Sequence, residues 1–411
     1  MKILVLAGGF DQIALIKELK QKHNYILLAD YYENPPAKEY ADKFYNISTL
    51  DEKSILNLAK EEKVDLITTA CTDQALLTMA RISEKLGLPC YLNSNQALAI
   101  TNKYYMKQVF MDNNIQTAQF YILDKPIEID KQIKKINFFP AIVKPCDCNS
   151  SKGVTKVNNI NEFKIALQDA YALSRSKKVI VEEYIEGVEV SVDVWIEDKK
   201  TNIISISETK KLRENEHNFT ICASSYPVFL DAKQKVNLKN EVIKISRSFK
   251  LYNGPLLVQA IIRNDDVYVV EFSARMGGGT KYRLIEYMTG INIMRKYVDF
   301  ILTGNAKIPI VKKSEENYRL IYLYANNGTI KKFEGFNEIV TSKIAEEVFL
   351  YKKEKEKISQ RLTSGDRIAG ILISGKNQVE IDNKIKIILS VIKVLDVYDN
   401  NMIFLHDYGE R

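Results

Sequence analysis

The stretch that most constrains this chain is Val267-Tyr268-Val269-Val270-Glu271-Phe272-Ser273-Ala274-Arg275-Met276-Gly277-Gly278-Gly279. Its β-branched and aromatic residues, with no breaker among them, predict a strand that ends at three glycines. Side chains alternate along a strand, so a spacing of two sets Glu271, Ser273 and Arg275 on one face. Val270, Phe272 and Ala274 are left for the packing face. One strand then presents two oxygen donors and a guanidinium to the same space. Hard Mg²⁺ takes oxygen ligands, and phosphates are met by metal and guanidinium together.

A partner strand lies just upstream. Leu256 to Ile262 is apolar except for Gln259, and Arg263-Asn264-Asp265-Asp266 reads as the turn of a hairpin. An amide inside an apolar strand is costly unless something binds it. A metal shared by Gln259, Glu271 and Ser273 satisfies it. The plain alternative is a surface strand with an ion pair.

Composition sets the bounds. The chain has 411 residues, enough for two to four sub-domains with ample core. It is 46% apolar and 27% charged, as ordinary soluble proteins are. No apolar run reaches the length of a membrane span, and the N-terminus reads as a first strand rather than a signal peptide. The expectation is a cytoplasmic protein without a membrane partner. Its 59 basic and 52 acidic residues are mixed along the chain, which predicts a solvated surface and no nucleic-acid partner. Five cysteines, an odd and sparse set, predict reduced thiols, and Cys146-Asp147-Cys148 lacks the spacing of a zinc knuckle. Three histidines exclude a histidine-rich metal site.

Taken in order, the first part alternates strands (Lys2–Ala7, Tyr25–Ala29, Asp65–Ala70) with helices. The helices run over Asp11–Lys22, from a Thr49-Leu50-Asp51-Glu52 capping box to about Lys60, and from Thr72 or Asp73 to Gly87. That alternation predicts a parallel sheet covered on both faces. The Gly8-Gly9 turn lacks the glycine spacing of a dinucleotide fingerprint, so NAD and FAD are rejected. Asn93-Ser94 opens a helix to about Met111, with Lys103 and Lys107 one turn apart. Taken alone, both read as solvated lysines.

From about Thr117 the texture changes to short strands. Pro140 to Pro145 is a strand ending near Lys144, and the small, polar segment Cys146 to Gly153 follows it. Such a loop can fold over phosphates and donate N–H groups, with Lys144 as a point charge beside it. Asn161 is the expected cap of the next helix. Val179 to Ile185 is a strand running into a turn, and Glu189 opens the alternating strand Glu189 to Val194. An adenine needs an acceptor, a donor and apolar walls, which a strand end of this kind supplies. Arg213 and His217 stand in the loop between the strands Ile203–Lys211 and Phe219–Pro227. Gly277, Gly278 and Gly279 let backbone N–H groups approach an anion. Asn326-Asn327-Gly328 reads as a hairpin turn between two further strands, and Gly365-Asp366-Arg367 precedes another.

In this order and spacing, the motifs resemble the ATP-grasp ligases, and among them the carboxylate–amine ligases of the L-amino-acid ligase-like branch. The family's metal strand reads Glu-x-Asn-x-Arg; here it reads Glu271-Phe272-Ser273-Ala274-Arg275, with serine in the place of asparagine. The resemblance covers nearly the whole chain. It implies ATP and Mg²⁺ (or Mn²⁺) as cofactors, with the metal on Glu271, Gln259 and Ser273. It implies phosphate contacts from Lys103 and Lys144 under a lid that includes Ser151 and Gly153. Glu182, Tyr184 and Ile185 would form the adenine hinge, and Glu189 would hold the ribose. Arg213, His217, Arg275 and Gly277 to Gly279 would face the acceptor substrate, with Arg275 and Lys144 as the catalytic cations. Lys107 stays a surface lysine. A homodimer is a family expectation.

The implied fold is α/β with α+β lobes. A Rossmann-like parallel-sheet domain spans 1–92, linker helices 93–116, a small ATP-grasp lobe 117–187, a large lobe with the metal strands 188–306, and a strand-rich C-terminal domain 307–411. The implied reaction phosphorylates a carboxylate, then lets an amine displace phosphate to form an amide, releasing ADP and phosphate. The rival readings are a purine-pathway synthetase, a biotin-carboxylase-like enzyme served by a separate carrier, and a non-catalytic nucleotide-binding protein.

Overall fold

The structure, a computed structural model, describes residues 1–124, 133, 134, 136–148, 152–212, 219–359, 363–405 and 408. Its N-terminal strands β1 (Lys2–Leu6), β2 (Tyr25–Asp30), β3 (Lys43–Asn46) and β4 (Leu66–Thr68) form a parallel sheet in the order β3-β2-β1-β4. Helices α1 (Phe10–Gln21), α2 (Glu52–Glu61) and α3 (Asp73–Leu86) connect them. Ile3 to Leu6 are fully buried, as a strand covered on both faces requires. Strand order reverses between β1 and β4, so the chain leaves both strands toward one crevice, where open α/β sheets bind ligands. The cap of α2 is Asp51, whose side chain accepts from Ser54 N–H at 3.1 Å. Thr49, the expected cap, instead offers its carbonyl to the Thr78 hydroxyl.

The single helix expected over Asn93 to Met111 is two, α4 (Ser94–Thr101) and α5 (Lys103–Asp112). Asn102 is extended between them, and its side chain caps α5 by accepting from Tyr104 N–H. Asparagine prefers that role to a place inside a helix. The break makes Lys103 the first residue of α5 and lets its N–H donate to Cys146 O at 2.8 Å.

An antiparallel sheet follows, built from β5 (Phe120–Asp124), β6 (Ala141–Pro145), β7 (Thr155–Val157) and β8 (Lys178–Glu183) in the order β5-β8-β6-β7. Helix α6 (Ile160–Leu173) packs Phe163 and Leu167 against it. Asn159, two residues before the expected cap, accepts from the Asn161 and Glu162 N–H groups.

The largest sheet draws on most of the remaining chain. Its strands are β9 (Val188–Glu197), β10 (Lys200–Lys211), β11 (Ile221–Tyr226), β12 (Gly254–Arg263), β13 (Asp266–Ser273), β14 (Asn317–Leu323), β16 (Glu347–Leu350) and β18 (Ala369–Gly375). Strand β15 (Gly328–Glu334), with β17 (Lys357–Ile358) and β19 (Lys393–Asp396), makes a separate small sheet. The eight-stranded order is β13-β12-β9-β10-β11-β14-β18-β16, so one sheet runs across the boundary expected at residue 306. Helices α7 (Ala232–Ser248), α8 (Lys281–Thr289), α9 (Ile293–Thr303), α10 (Phe336–Thr341) and α11 (Gln378–Val391) complete the chain. Asn326-Asn327-Gly328 is not a hairpin turn. It is where the chain leaves β14 for β15 in another sheet, and Gly328 adopts φ +157°. The architecture is mixed α/β, a parallel N-terminal sheet followed by a large antiparallel one.

Strand β13 contains a bulge that decides the site. Gln259 pairs with Glu271, but Ala260 pairs with Val269, which leaves Val270 as the extra residue. An extra residue flips the pleat. Val267 and Val269 therefore pack into the core before the bulge, and Phe272 and Ala274 after it. Without the bulge Glu271 would share a face with Val267 and Val269. Val270, expected on the packing face, is only half-buried because it sits in the bulge.

Candidate active site

The cleft between the sheets has a volume of about 2640 Å³ and reaches the crevice at β1 and β4. It brings together Lys103, Lys144, Gly153, Glu182, Tyr184, Ile185, Glu189, Gln259, Glu271, Arg275 and Gly277 to Gly279. Ser273 lies buried at the end of β13. Ser151, Arg213 and His217 lie outside the described residues.

The floor is a polar patch built by strand register. Ser207, Ser191, Gln259 and Glu271 lie opposite one another across β10, β9, β12 and β13. In the adjacent row stand Ser205, Asp193, Leu257 and Ser273. Glu271 meets Lys103 at 3.3 Å, and the same ammonium donates to Cys148 O at 2.8 Å. Burial pushes the Glu271 carboxyl up, Lys103 and Lys144 together pull it down, and the net shift is downward. Burial likewise weighs against the Lys103 charge, and Glu271 reverses it to a net rise.

Among the described residues no three His, Cys, Asp or Glu side chains cluster to hold a metal. The candidate ligands are therefore one carboxylate and two neutral oxygens. Ser273 Oγ is buried and, among the described residues, makes no hydrogen bond of ordinary geometry, although its hydroxyl lies near enough to Asp73 to favour that carboxylate. Mg²⁺ keeps several waters and draws on phosphates beside one or two carboxylates, so this sparse set fits it.

Glu182 does not offer its side chain to a base. It lies diagonally from Lys144 across β8 and β6, and its carboxylate pairs with both Lys144 and Lys107, the latter at 2.7 Å. Lys107 is thus not the surface residue expected from its spacing. It is 1% exposed, because α5 lies between the lobes and turns both its lysines inward. Burial alone would raise the Glu182 carboxyl; Lys107 and Lys144 together hold it at about 2. Lys107 shifts the other way. Burial lowers it more than Glu182, shared with Lys144, can restore. Beyond Glu182, the Glu183 and Tyr184 N–H groups donate to Gln119 O and Pro140 O. Glu189, the expected ribose residue, is paired with Lys211.

The far end of the cleft holds residues that sequence reasoning did not assign. Arg275 is bound two-pronged to Asp73 at the start of α3, with Nε 2.7 Å from Oδ1 and Nη2 on Oδ2. Asp73 therefore does not cap its helix; Thr72 is the N-cap and makes no side-chain cap bond. Asp11, in the first turn of α1, accepts from the N–H groups of Gly279 at 2.9 Å and Thr280 at 2.7 Å. The glycine turn expected to receive a substrate anion is thus already closed, at Gly279, by a carboxylate of the protein. Lys281 is buried against Asp193 at 3.0 Å and Ser191 at 2.6 Å. Arg367 stacks on Tyr322 at 3.6 Å and donates to Tyr324 Oη. Among the described residues it meets no carboxylate at ion-pair distance. The regular alternation of Glu189, Ser191 and Asp193 was a readable signal for Asp193, and Gly365-Asp366-Arg367 stood out as a motif without a role; Asp73 read only as a helix cap, and Asp11 only as the start of a helix.

A family model for the ATP-grasp domain matches residues 137–282, the span from β6 to the start of α8. The chain contains an ATP-grasp domain. Lys144, β8, β12 and β13 fall within the matched residues, and α5, which carries Lys103 and Lys107, packs against them. Over its wider length the chain is similar to a phosphoribosylamine–glycine ligase of Caldanaerobacter subterraneus, 23% identical over 92% of this chain and 94% of the relative. In structure it is similar to an L-amino acid ligase from Bacillus licheniformis (TM-score 0.78, 17% identity, 96% and 98% of the two chains). It is also similar to a phosphoribosylglycinamide synthetase from Anaerococcus prevotii (TM-score 0.74, 20% identity, 96% and 99%). These likenesses show that the whole fold, not the domain alone, is shared.

Proposed function

We propose that this protein is an ATP- and Mg²⁺-dependent carboxylate–amine ligase that forms an amide through an acyl phosphate and releases ADP and phosphate. The observation that carries the reading is the convergence of Lys103, Lys144, Glu271 and Gln259 on one cleft within and beside the ATP-grasp domain. In this reading residues 117–187 and 188–306 form the two nucleotide-binding lobes. Lys144 and Lys103 hold the phosphates as point charges. The adenine lies at Glu182 to Ile185, with backbone groups rather than the Glu182 carboxylate reading it, and the ribose lies at Glu189. Glu271, Gln259 and Ser273 would hold the Mg²⁺, which when bound supplies positive charge beside the phosphates.

The residues of the chain then act by position and charge. A carboxylate attacks the terminal phosphoryl group while the lysines stabilise the charge that develops, so no protein nucleophile is required. The lid expected from the sequence over Cys146 to Gly153, which would exclude water from the acyl phosphate, lies partly outside the described residues. Arg275, fixed by Asp73, positions the glycine turn through its bond to Met276 O. Arg367, stacked and without a carboxylate, is available for an anionic substrate group.

A second reading, a purine-type synthetase, is favoured by the full-length similarity to phosphoribosylamine–glycine ligase. Asp11 at the glycine turn weighs against a phosphate there. The test is ADP release from Mg·ATP against pools of small carboxylates and amines, with ribose-phosphate amines as a separate pool. A requirement for both a carboxylate and an amine supports the ligase. Turnover only with the ribose-phosphate pool selects the purine reading, and ATP binding without turnover in any pool defeats both.

A further inference from the structure

One buried carboxylate, Glu182, serves two buried ammonium groups, Lys107 and Lys144. The two lysines are not equivalent. Lys144 lines the cleft, whereas Lys107 does not. Lys107 also donates to Thr117 Oγ1, and that hydroxyl donates to Val269 O at 2.6 Å, beside the bulge of β13. The Gln116 carbonyl accepts from Val269 N–H at 2.8 Å, which ties the same segment to the outer edge of the strand. The Phe110 and Phe120 rings lie 5.3 and 5.6 Å from the Lys107 ammonium. Lys107 is therefore held on several sides, and only Lys144 can turn toward a ligand.

We infer that Lys107 is a positioning residue for nucleotide binding: it is the permanent counter-charge of Glu182, and so leaves the Lys144 ammonium free to turn to a phosphate. A buried carboxylate that loses its only partner is strongly disfavoured. With Lys107 in place, Glu182 stays paired when Lys144 moves. Without Lys107, Glu182 and Lys144 form a closed neutral pair, and the phosphates lose a cation although Lys144 is still present. This inference rests on the proposed role of Lys144 at the phosphates.

The test is calorimetric binding of Mg·ATP and of adenosine to the full chain. Lys144→Met is expected to weaken Mg·ATP roughly tenfold or more, the scale of one lost bond to a charged group. Lys107→Met is expected to weaken Mg·ATP by a similar factor and leave adenosine unchanged. In a Glu182→Gln background, where no buried carboxylate is left to compensate, adding Lys107→Met to Lys144→Met should weaken binding no further, since both act through one ammonium. Adding Glu182→Gln to Lys107→Met removes the competing carboxylate. In this double variant the Lys144 ammonium has no carboxylate until a phosphate binds, so its thermal midpoint is read alongside to show that it folds, and it should restore Mg·ATP binding to within a few-fold of wild type.

Additive losses, equal weakening of adenosine, or failure of Glu182→Gln to restore binding would each overturn the inference alone. Wild-type binding of Mg·ATP by Lys107→Met would do the same. Wild-type binding by Lys144→Met would overturn the phosphate role of Lys144 as well.

Discussion

Lys103, at the start of α5, and Glu271, on β13, form an ion pair at 3.3 Å in the cleft. Lys103 is buried, whereas the Glu271 side chain is 38% exposed to the cleft, and the two opposite charges compensate each other there. In the proposed function, ligand binding would exchange this one pairing for two, Lys103 with phosphate and Glu271 with the cation.

Glu271→Gln tests that exchange. It keeps the shape of the side chain and removes its charge. We expect ADP release to fall on the order of 10²–10³-fold, the scale of one lost electrostatic element of an active site. The far-ultraviolet circular dichroism should stay that of the wild type. Undiminished turnover would remove Glu271 from the metal site.

The Asp73–Arg275 pair joins the start of α3 to the chain just beyond β13. Asp73→Asn leaves a largely buried guanidinium without its carboxylate, a loss of about 3 kcal/mol or more for a pair of this kind. We expect a lowered thermal midpoint and lowered turnover together. A midpoint equal to wild type would show that the two parts are held by other contacts.

Gly279 has a structural requirement for glycine. Its φ is +70°, and an added Cβ would collide with Arg367 Nη1 and lie 3.0 Å from Tyr322 Oη. Gly279→Ala should cost about 1–3 kcal/mol from backbone strain, with displacement of Arg367 in addition. Gly290→Ala is the control. Its φ is also +70°, but its Cβ would meet nothing within 4 Å. Greater loss of turnover in Gly279→Ala than in Gly290→Ala is the expected result; equal loss would leave only the strain.

Acid should reveal Glu182. Its ordinary pKa of 4.5 is held at about 2 in the folded chain by Lys107 and Lys144, against burial, which acts to raise it. Between those values the unfolded chain binds the proton and the folded chain does not, so stability falls as pH falls. The contribution is present above about 4.5 and is lost toward about 2, on the order of 3 kcal/mol. Thermal midpoints measured across that range should fall less steeply in Glu182→Gln than in wild type. Parallel curves would mean that Glu182 is not held so low.

Much of the site was readable from local pattern. The alternation around Glu271, the polar Gln259 between apolar neighbours and the strand before the glycines are features of short range, and strand pairing placed them opposite each other. Lys107 was misread because its neighbours on α5 look like any exposed turn, and only the packing of the helix between two sheets buries it. The bulge at Val270 was equally hidden. Val267, Val269, Glu271 and Ser273 share a spacing of two, and nothing local says that the pleat flips between them.

The sequence by itself determined the elements and their chemistry: strands where β-branched residues alternate, turns at glycine, lysines and carboxylates at motif spacing. These depend on interactions within a few residues. Tertiary structure decided the partners. Asp11 closes the glycine turn, Asp73 takes Arg275, and Glu182 is shared by two lysines, across separations of up to 269 residues. Buried charges must be compensated, and which opposite charge reaches them depends on how the sheets and α5 pack.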